Sequence, residues 1–235
     1  ILPLDSAQIY MQQANKFYEA SEYTKALEMY NKIETDYRSP VLLYNMGNCY
    51  FKTGNLPETI LYYERSLKYD PENENTLANL KQANNLITDD IQAMPETAIS
   101  QWWHNFIRNK SINFWAQLSI YLMVASFFIL ILSILKTTVF IRKFSTLVGI
   151  ILVISAVFTF FLARSAKNNI ENDNYAIIFT PKVDVMSEPK NDGSRLFVIH
   201  DGLKVDIVDE NNDWYEIKLV NGALGWIKKE DCRVI

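Results

Sequence analysis

The side chains best suited to nucleophilic or metal chemistry are few in this sequence and scattered along it. Its only histidines are His104 and His200, and its only cysteines are Cys49 and Cys232. A transition metal needs three or four such ligands converging from short spacings, and these four residues offer no such spacing. His104 reads as an interface residue, not a ligand. The acidic pairs Asp89-Asp90 and Glu210 with Asp213 read as turn and capping residues. HExxH, P-loop, Rossmann glycine and GxSxG patterns do not occur. The sequence therefore predicts no catalytic residues, no metal and no cofactor. A bridge between Cys49 and Cys232 requires their two segments to pack closely. The alternative is a pair of buried small hydrophobes.

With no chemistry to place, the informative side chains are those that recur on helical faces. The stretch AQIYMQQANKFYEASEYTKALEMYNKI, Ala7 to Ile33, repeats as VLLYNMGNCYFKTGNLPETILYYERSL, Val41 to Leu67, with a shift of 33 residues. Ala14 then falls on Gly47, Phe17 on Tyr50, Ala26 on Thr59 and Tyr30 on Tyr63. Small residues let helices approach, and aromatic ones fill the gap between helix pairs. This pattern, with Pro71 closing the second unit, resembles the tetratricopeptide repeat. The run from Glu72 to Ile87 reads as a capping helix, started by Asn73 or Asn75. An all-α solenoid over residues 5–90 is the expectation. By the family's pattern its inner face carries Met11, Asn15 and Tyr18, matched by Tyr44, Asn48 and Phe51. The recurring asparagine resembles part of a carboxylate clamp, but the clamp's basic positions hold Met11, Ala78 and Gln82. A groove for a segment of a partner protein fits better. Asparagines satisfied within the array are the other reading.

From Tyr175 the apolar period changes from helical to two, with turn residues about every ten positions. Strands are expected at 175–179, 182–187, 195–200, 204–210, 214–220 and 223–228, followed by a last short one. Short strands at this spacing imply an all-β small barrel over residues 175–235. Val198, His200, Gly202, Trp214-Tyr215 and the closing Gly225-Trp226-Ile227 resemble a bacterial SH3 domain. The resemblance implies contact with cell-wall peptides or with protein neighbours. Tyr215 and Trp226 are the candidate contact residues, unless they only close the core.

Between these parts lie two uncharged runs, Phe114–Leu135 and Ser145–Ala163, of 22 and 19 residues. A 22-residue helix rises about 33 Å, enough to cross a hydrocarbon core of about 30 Å. A two-helix transmembrane hairpin over 112–135 and 145–163 follows, joined by a short loop at 136–144. Ser119, Ser126, Ser133, Gly149, Ser155 and Ala156 supply small residues for helix contact. The loop KTTVFIRK carries Lys136, Arg142 and Lys143 and no acid. Basic residues in short loops favour the cytoplasmic side. Arg108, Lys110, Arg164 and Lys167 at the outer ends pull the other way, so counting alone is equivocal. The density of charge in the short loop favours the loop inside and both flanks outside. Ahead of the hairpin, residues 91–111 place Trp102, Trp103 and Phe106 near one helical face, followed by Arg108 and Lys110. They read as an interfacial helix lying on membrane lipid. A linker at 164–174 completes the chain.

Both flanks are mildly acidic. Ile1–Ser111 carries ten basic and fourteen acidic residues, and Arg164–Ile235 ten and thirteen. Neither has the positive field of a nucleic-acid binder. The start at Ile1 points to processing or to an earlier beginning, so the lack of a leader carries no weight. The order of repeat array, hairpin and SH3-like barrel resembles the BatE-type proteins of Bacteroides-like bacteria, named for aerotolerance. That resemblance implies a multidomain inner-membrane protein with both soluble parts in the periplasm. It also implies partners with von Willebrand factor A domains, associated Bat proteins and a MoxR-type ATPase. A membrane-anchored scaffold is the expected function. The alternatives are a sensor of peptidoglycan peptides and an accessory subunit of a cell-wall amidase.

Overall fold

A computed structural model describes residues 2–92, 112–135, 138–172 and 174–235, without the side chains of 112, 113 and 166–172. The expected interfacial residues Trp102, Trp103, Phe106, Arg108 and Lys110, together with Lys136, lie outside these. The chain divides into two compact units, one of residues 1–96 with 174–235 and the other of 97–173. The repeat array and the C-terminal sheet thus fold as one body, although the hairpin separates them in sequence.

The array is five helices: α1 (Leu4–Glu19), α2 (Tyr23–Glu34), α3 (Pro40–Lys52), α4 (Leu56–Tyr69) and α5 (Glu74–Asn84). Side-chain caps start three of them. Ser39, Asn55 and Asn73 each accept a hydrogen bond from the backbone N–H three residues on, at 3.2, 3.3 and 3.0 Å. Ala14, Ala26, Gly47 and Thr59, the small positions of the repeat, are buried. Tyr30 and Tyr63 fill the space beside them at 1% exposure each, which makes them core residues and not surface contacts. The repeated register produces a repeated hydrogen bond. Tyr30 Oη donates to Asn15 Oδ1 at 2.6 Å, and Tyr63 Oη donates to Asn48 Oδ1 at 2.7 Å. The recurrence of asparagine thus has a structural cause in each unit.

The C-terminal part has seven strands: β1 (Tyr175–Ile178), β2 (Lys182–Met186), β3 (Arg195–His200), β4 (Lys204–Asn211), β5 (Trp214–Lys218), β6 (Leu224–Lys228) and β7 (Cys232–Val234). The expectation of a closed small barrel is not met. The strands form one antiparallel sheet in the order β3-β2-β6-β5-β4-β1-β7, with β3 and β7 as separate edges. The physical reason is that both edges meet the array instead of each other. The His200 backbone N–H on β3 donates to Asp89 Oδ2 at 2.7 Å. On the β7 side, Arg65 and Lys68 of α4 donate to the carbonyls of Val234 and Ile235, both at 3.0 Å. Edge backbone groups that closure would have paired are satisfied by side chains of α4 and by Asp89 in the segment after α5. The sheet still wraps a core of Ala176, Ile178, Val183, Val185, Ile199, Val205, Ile217 and Ile227.

The second unit contains α6 (Ile112–Leu135) and α7 (Val139–Asn172). Helix α7 takes in most of the residues expected as loop and linker, because neither glycine nor proline interrupts 139–148 or 164–172. Arg142 and Lys143 therefore sit in its first turns. The spans Phe114–Leu135 and Val139–Ser165 have a mean hydropathy of 2.6, and protein covers little of either. A soluble core helix would be covered, so these two helices support a membrane-spanning hairpin. Small residues do lie at the contact. Ser119 Oγ donates to the Ala156 carbonyl at 3.0 Å, Ser126 and Ala156 are buried, and Gly149 faces Leu130.

Candidate functional site

The inner face of the array carries a cavity of about 240 Å3, lined by Tyr18, Tyr44, Asn48, Phe51, Lys52, Tyr63, Asn79 and Gln82. Sites for small molecules run from about 300 to 1,000 Å3, so this one suits a residue or two of a bound chain. Four of the six expected inner residues meet here: Tyr18, Tyr44, Asn48 and Phe51. Met11 packs partly buried against the core, and Asn15 is held by Tyr30, so neither lines the cavity.

The residue missed from sequence is Asn79. Its amide Nδ2 lies 3.0 Å from Asn48 Oδ1, 3.2 Å from Tyr44 Oη and 3.5 Å from Tyr63 Oη. Asn79 thus ties α5 to both helices of the second unit. Reading α5 as a third inner helix, with Asn75, Asn79 and Gln82 along one face, would have found it. Burial raises the phenols of Tyr18 and Tyr63 above the ordinary tyrosine value, so both stay protonated donors at any physiological pH. Lys52 is the one charged residue of the lining. Anchoring a terminal carboxylate takes several cations, and a single exposed lysine does not supply them. The lining offers amide and hydroxyl groups beside aromatic rings, a chemistry suited to peptide backbone and an apolar side chain.

On the sheet, Tyr215 and Trp226 are not brought together. Tyr215 pairs with Ile227 and packs against the core, whereas Trp226 pairs with Glu216 and Met186. Neighbouring positions on a strand face opposite ways, so Trp226 is directed away from the core and is half-buried on the outer face. Lys229 Nζ covers the Tyr215 ring at 4.9 Å from its centre. Gly225 is required by crowding, since a Cβ there would lie 2.4 Å from Val185 Cγ1.

Asp89 was expected in a turn and instead joins the two parts of the unit. Its Oδ1 lies 2.8 Å from His200 Nδ1, beside the backbone bond already described. The cysteines are both free, buried and in different cores, Cys49 in the array and Cys232 in the sheet. Burial pushes their thiols from the ordinary 9.0 up to about 12 and about 11. Neither thiol is expected to react with a disulfide probe at pH 8 until the protein unfolds, when two equivalents should appear. Both groups bind protons more tightly when folded, so their contribution to stability is full below pH 9 and is lost as pH rises through about 11 to 12. Rapid labelling of the folded chain would contradict the burial.

Residues 40–73 match the tetratricopeptide repeat family, and residues 182–231 match the bacterial SH3 domain family. The first match covers α3, α4 and the turn that follows, and the second runs from β2 to the turn before β7. No curated protein matches the chain. Both matched families are non-catalytic interaction modules, and among the described residues no group of three or more His, Cys, Asp or Glu is placed to hold a metal. The chain thus carries a tetratricopeptide repeat and a bacterial SH3-type region on either side of two apolar helices that support a membrane-spanning topology.

Proposed function

We propose that the protein is a membrane-anchored scaffold that receives a segment of a partner protein in the cavity formed by α1, α3, α4 and α5. The observation that carries this reading is the lining itself, with Tyr44, Asn48 and Asn79 forming one amide–hydroxyl network beside Phe51. The order of modules supports placing it in an inner-membrane complex of the Bat and MoxR type, linked to aerotolerance or envelope stress. Its partners there are membrane proteins with von Willebrand factor A domains, and both soluble parts stand in the periplasm.

The test is affinity purification of the full chain from cross-linked membranes in detergent. Wild type should retain a partner with a von Willebrand factor A domain. Gln82→Leu, at an exposed position of the cavity wall, should lose about tenfold of that recovery with a melting curve close to wild type. Recovery of no membrane partner by wild type would defeat the scaffold reading.

Trp226, half-buried on the outer face beside Met186 and Glu216, favours a second reading, a contact with peptidoglycan peptides. Retention on immobilised muropeptides that Trp226→Ala abolishes would support it. Equal retention of the two forms would remove it.

A further inference from the structure

Helix α5 is the third inner helix of the array, and no following helix of the array pairs with it among the described residues. A helical repeat cannot bury its apolar face alone and relies on a neighbour to cover it. In this molecule the neighbour is the sheet. Ile177 of β1 is fully buried in one cluster with Ile60, Leu61 and Tyr63 of α4 and Leu80 and Ala83 of α5. Phe179 and Ile235 pack at its margin. Strand alternation explains how one strand serves two cores. Ala176 and Ile178 face the interior of the sheet, and Ile177 between them faces the helices. This is why β1 lacks the alternation of a half-exposed strand.

Polar contacts surround that apolar centre. Lys204 Nζ reaches Glu64 Oε2 at 2.7 Å, Arg233 pairs with Glu58, and Asp89 holds His200. Gly202, in the turn before β4, comes close to Leu56, Ile60 and Ile87. Segments on both sides of α5 are therefore gripped by the sheet.

We infer that the SH3-type sheet acts as the terminal cap of the repeat array and thereby positions Asn79 and Gln82, the α5 residues of the cavity. Leu80 and Ala83 of α5 share one buried cluster with Ile177 of β1 and with Ile60, Leu61 and Tyr63 of α4, whereas Asn79 and Gln82 line the cavity. Releasing the sheet removes the support of α5, and the cavity loses one wall although none of its lining residues has changed. The two modules then work as one binding body and not as two beads on a linker. The consequence for partner capture rests on the cavity being the partner site, whereas the capping itself does not.

Amide hydrogen exchange on the full chain in detergent micelles tests the capping without any partner. Ile177→Ser should speed exchange of α5 by at least tenfold, while α1, α2, β5 and β6 keep wild-type protection. Unchanged protection of α5 would overturn the inference. If the sheet loses protection as well, a charge exchange decides. Glu58→Arg should raise α5 exchange severalfold, and adding Arg233→Glu should restore it. Failure of that second change to restore α5 would also overturn the inference. Loss of partner recovery with α5 protection intact counts against capping as the cause and leaves the reading of the cavity standing.

Discussion

Gly47→Leu is expected to destabilise the compact unit of residues 1–96 and 174–235 by about 1–3 kcal/mol, the cost of forcing extra methylenes into a packed core. For a unit of this size that is a fall in melting temperature of about 2–4 °C for each kcal/mol. The cause is local. Helices α3 and α4 cross at Gly47, and a Cβ there would stand 2.6 Å from both Cδ1 and Cε1 of Tyr63. The ring has nowhere to go, because its hydroxyl is fixed to Asn48 and it packs against the Tyr44 ring at 6.0 Å between centres, tilted by 33°. Gly47→Ala should show the same defect in smaller measure. Adding Tyr63→Leu to Gly47→Leu should recover part of the loss by removing the opposing ring, less the bonds that Tyr63 makes. A circular dichroism melt of Gly47→Leu that overlays wild type would refute the close-approach argument. Equal melting of the single and double variants would show that Tyr63 is not what the leucine meets.

A small residue opposite an aromatic at a fixed repeat offset dictates a close crossing, and both are legible in the sequence alone. The same holds for the strands. The change of apolar period at Tyr175 and the turn residues after it located all seven to within a few positions. Two apolar runs without a charge were equally plain. What stayed hidden has a common physical origin, the contacts between segments distant in sequence. Ile177 looks like an ordinary strand residue until α4 is placed against it. Asp89 looks like a turn residue until His200, 111 positions away, is its partner. The open sheet follows from the same cause, since strand pattern alone cannot tell an edge that closes on another strand from one that closes on a helix. Asn15 and Asn48 were read together from their recurrence. The structure separates them: Asn48 meets Asn79 of α5 and lines the cavity, whereas Asn15 accepts from Tyr30 and does not.

Protease added to right-side-out spheroplasts is expected to cleave both flanks together and to leave a protected fragment holding α6 and α7. Two features require the flanks to share one side. An even number of spans returns the chain to the side from which it entered. Residues 1–96 and 174–235 also form one compact unit, with Arg233, Lys204 and His200 of one segment bound to Glu58, Glu64 and Asp89 of the other. A membrane between them would separate every one of these pairs. The basic residues give the expectation for which side they share. Arg142 and Lys143 stand in the first turns of α7, where positive charge resists export, and Lys136 precedes them in sequence. Arg108, Lys110, Arg164 and Lys167 flank the spans in sequence on the other side, but long flanking segments are exported largely regardless of charge. Arg142 and Lys143 should therefore dominate. Replacing Arg142 and Lys143 by glutamine should weaken the bias and yield a mixed population with a protected full-length fraction. Protection of both flanks in the wild type would reverse the assigned side. Cleavage of one flank with protection of the other would break the single folded unit on which the capping of α5 depends.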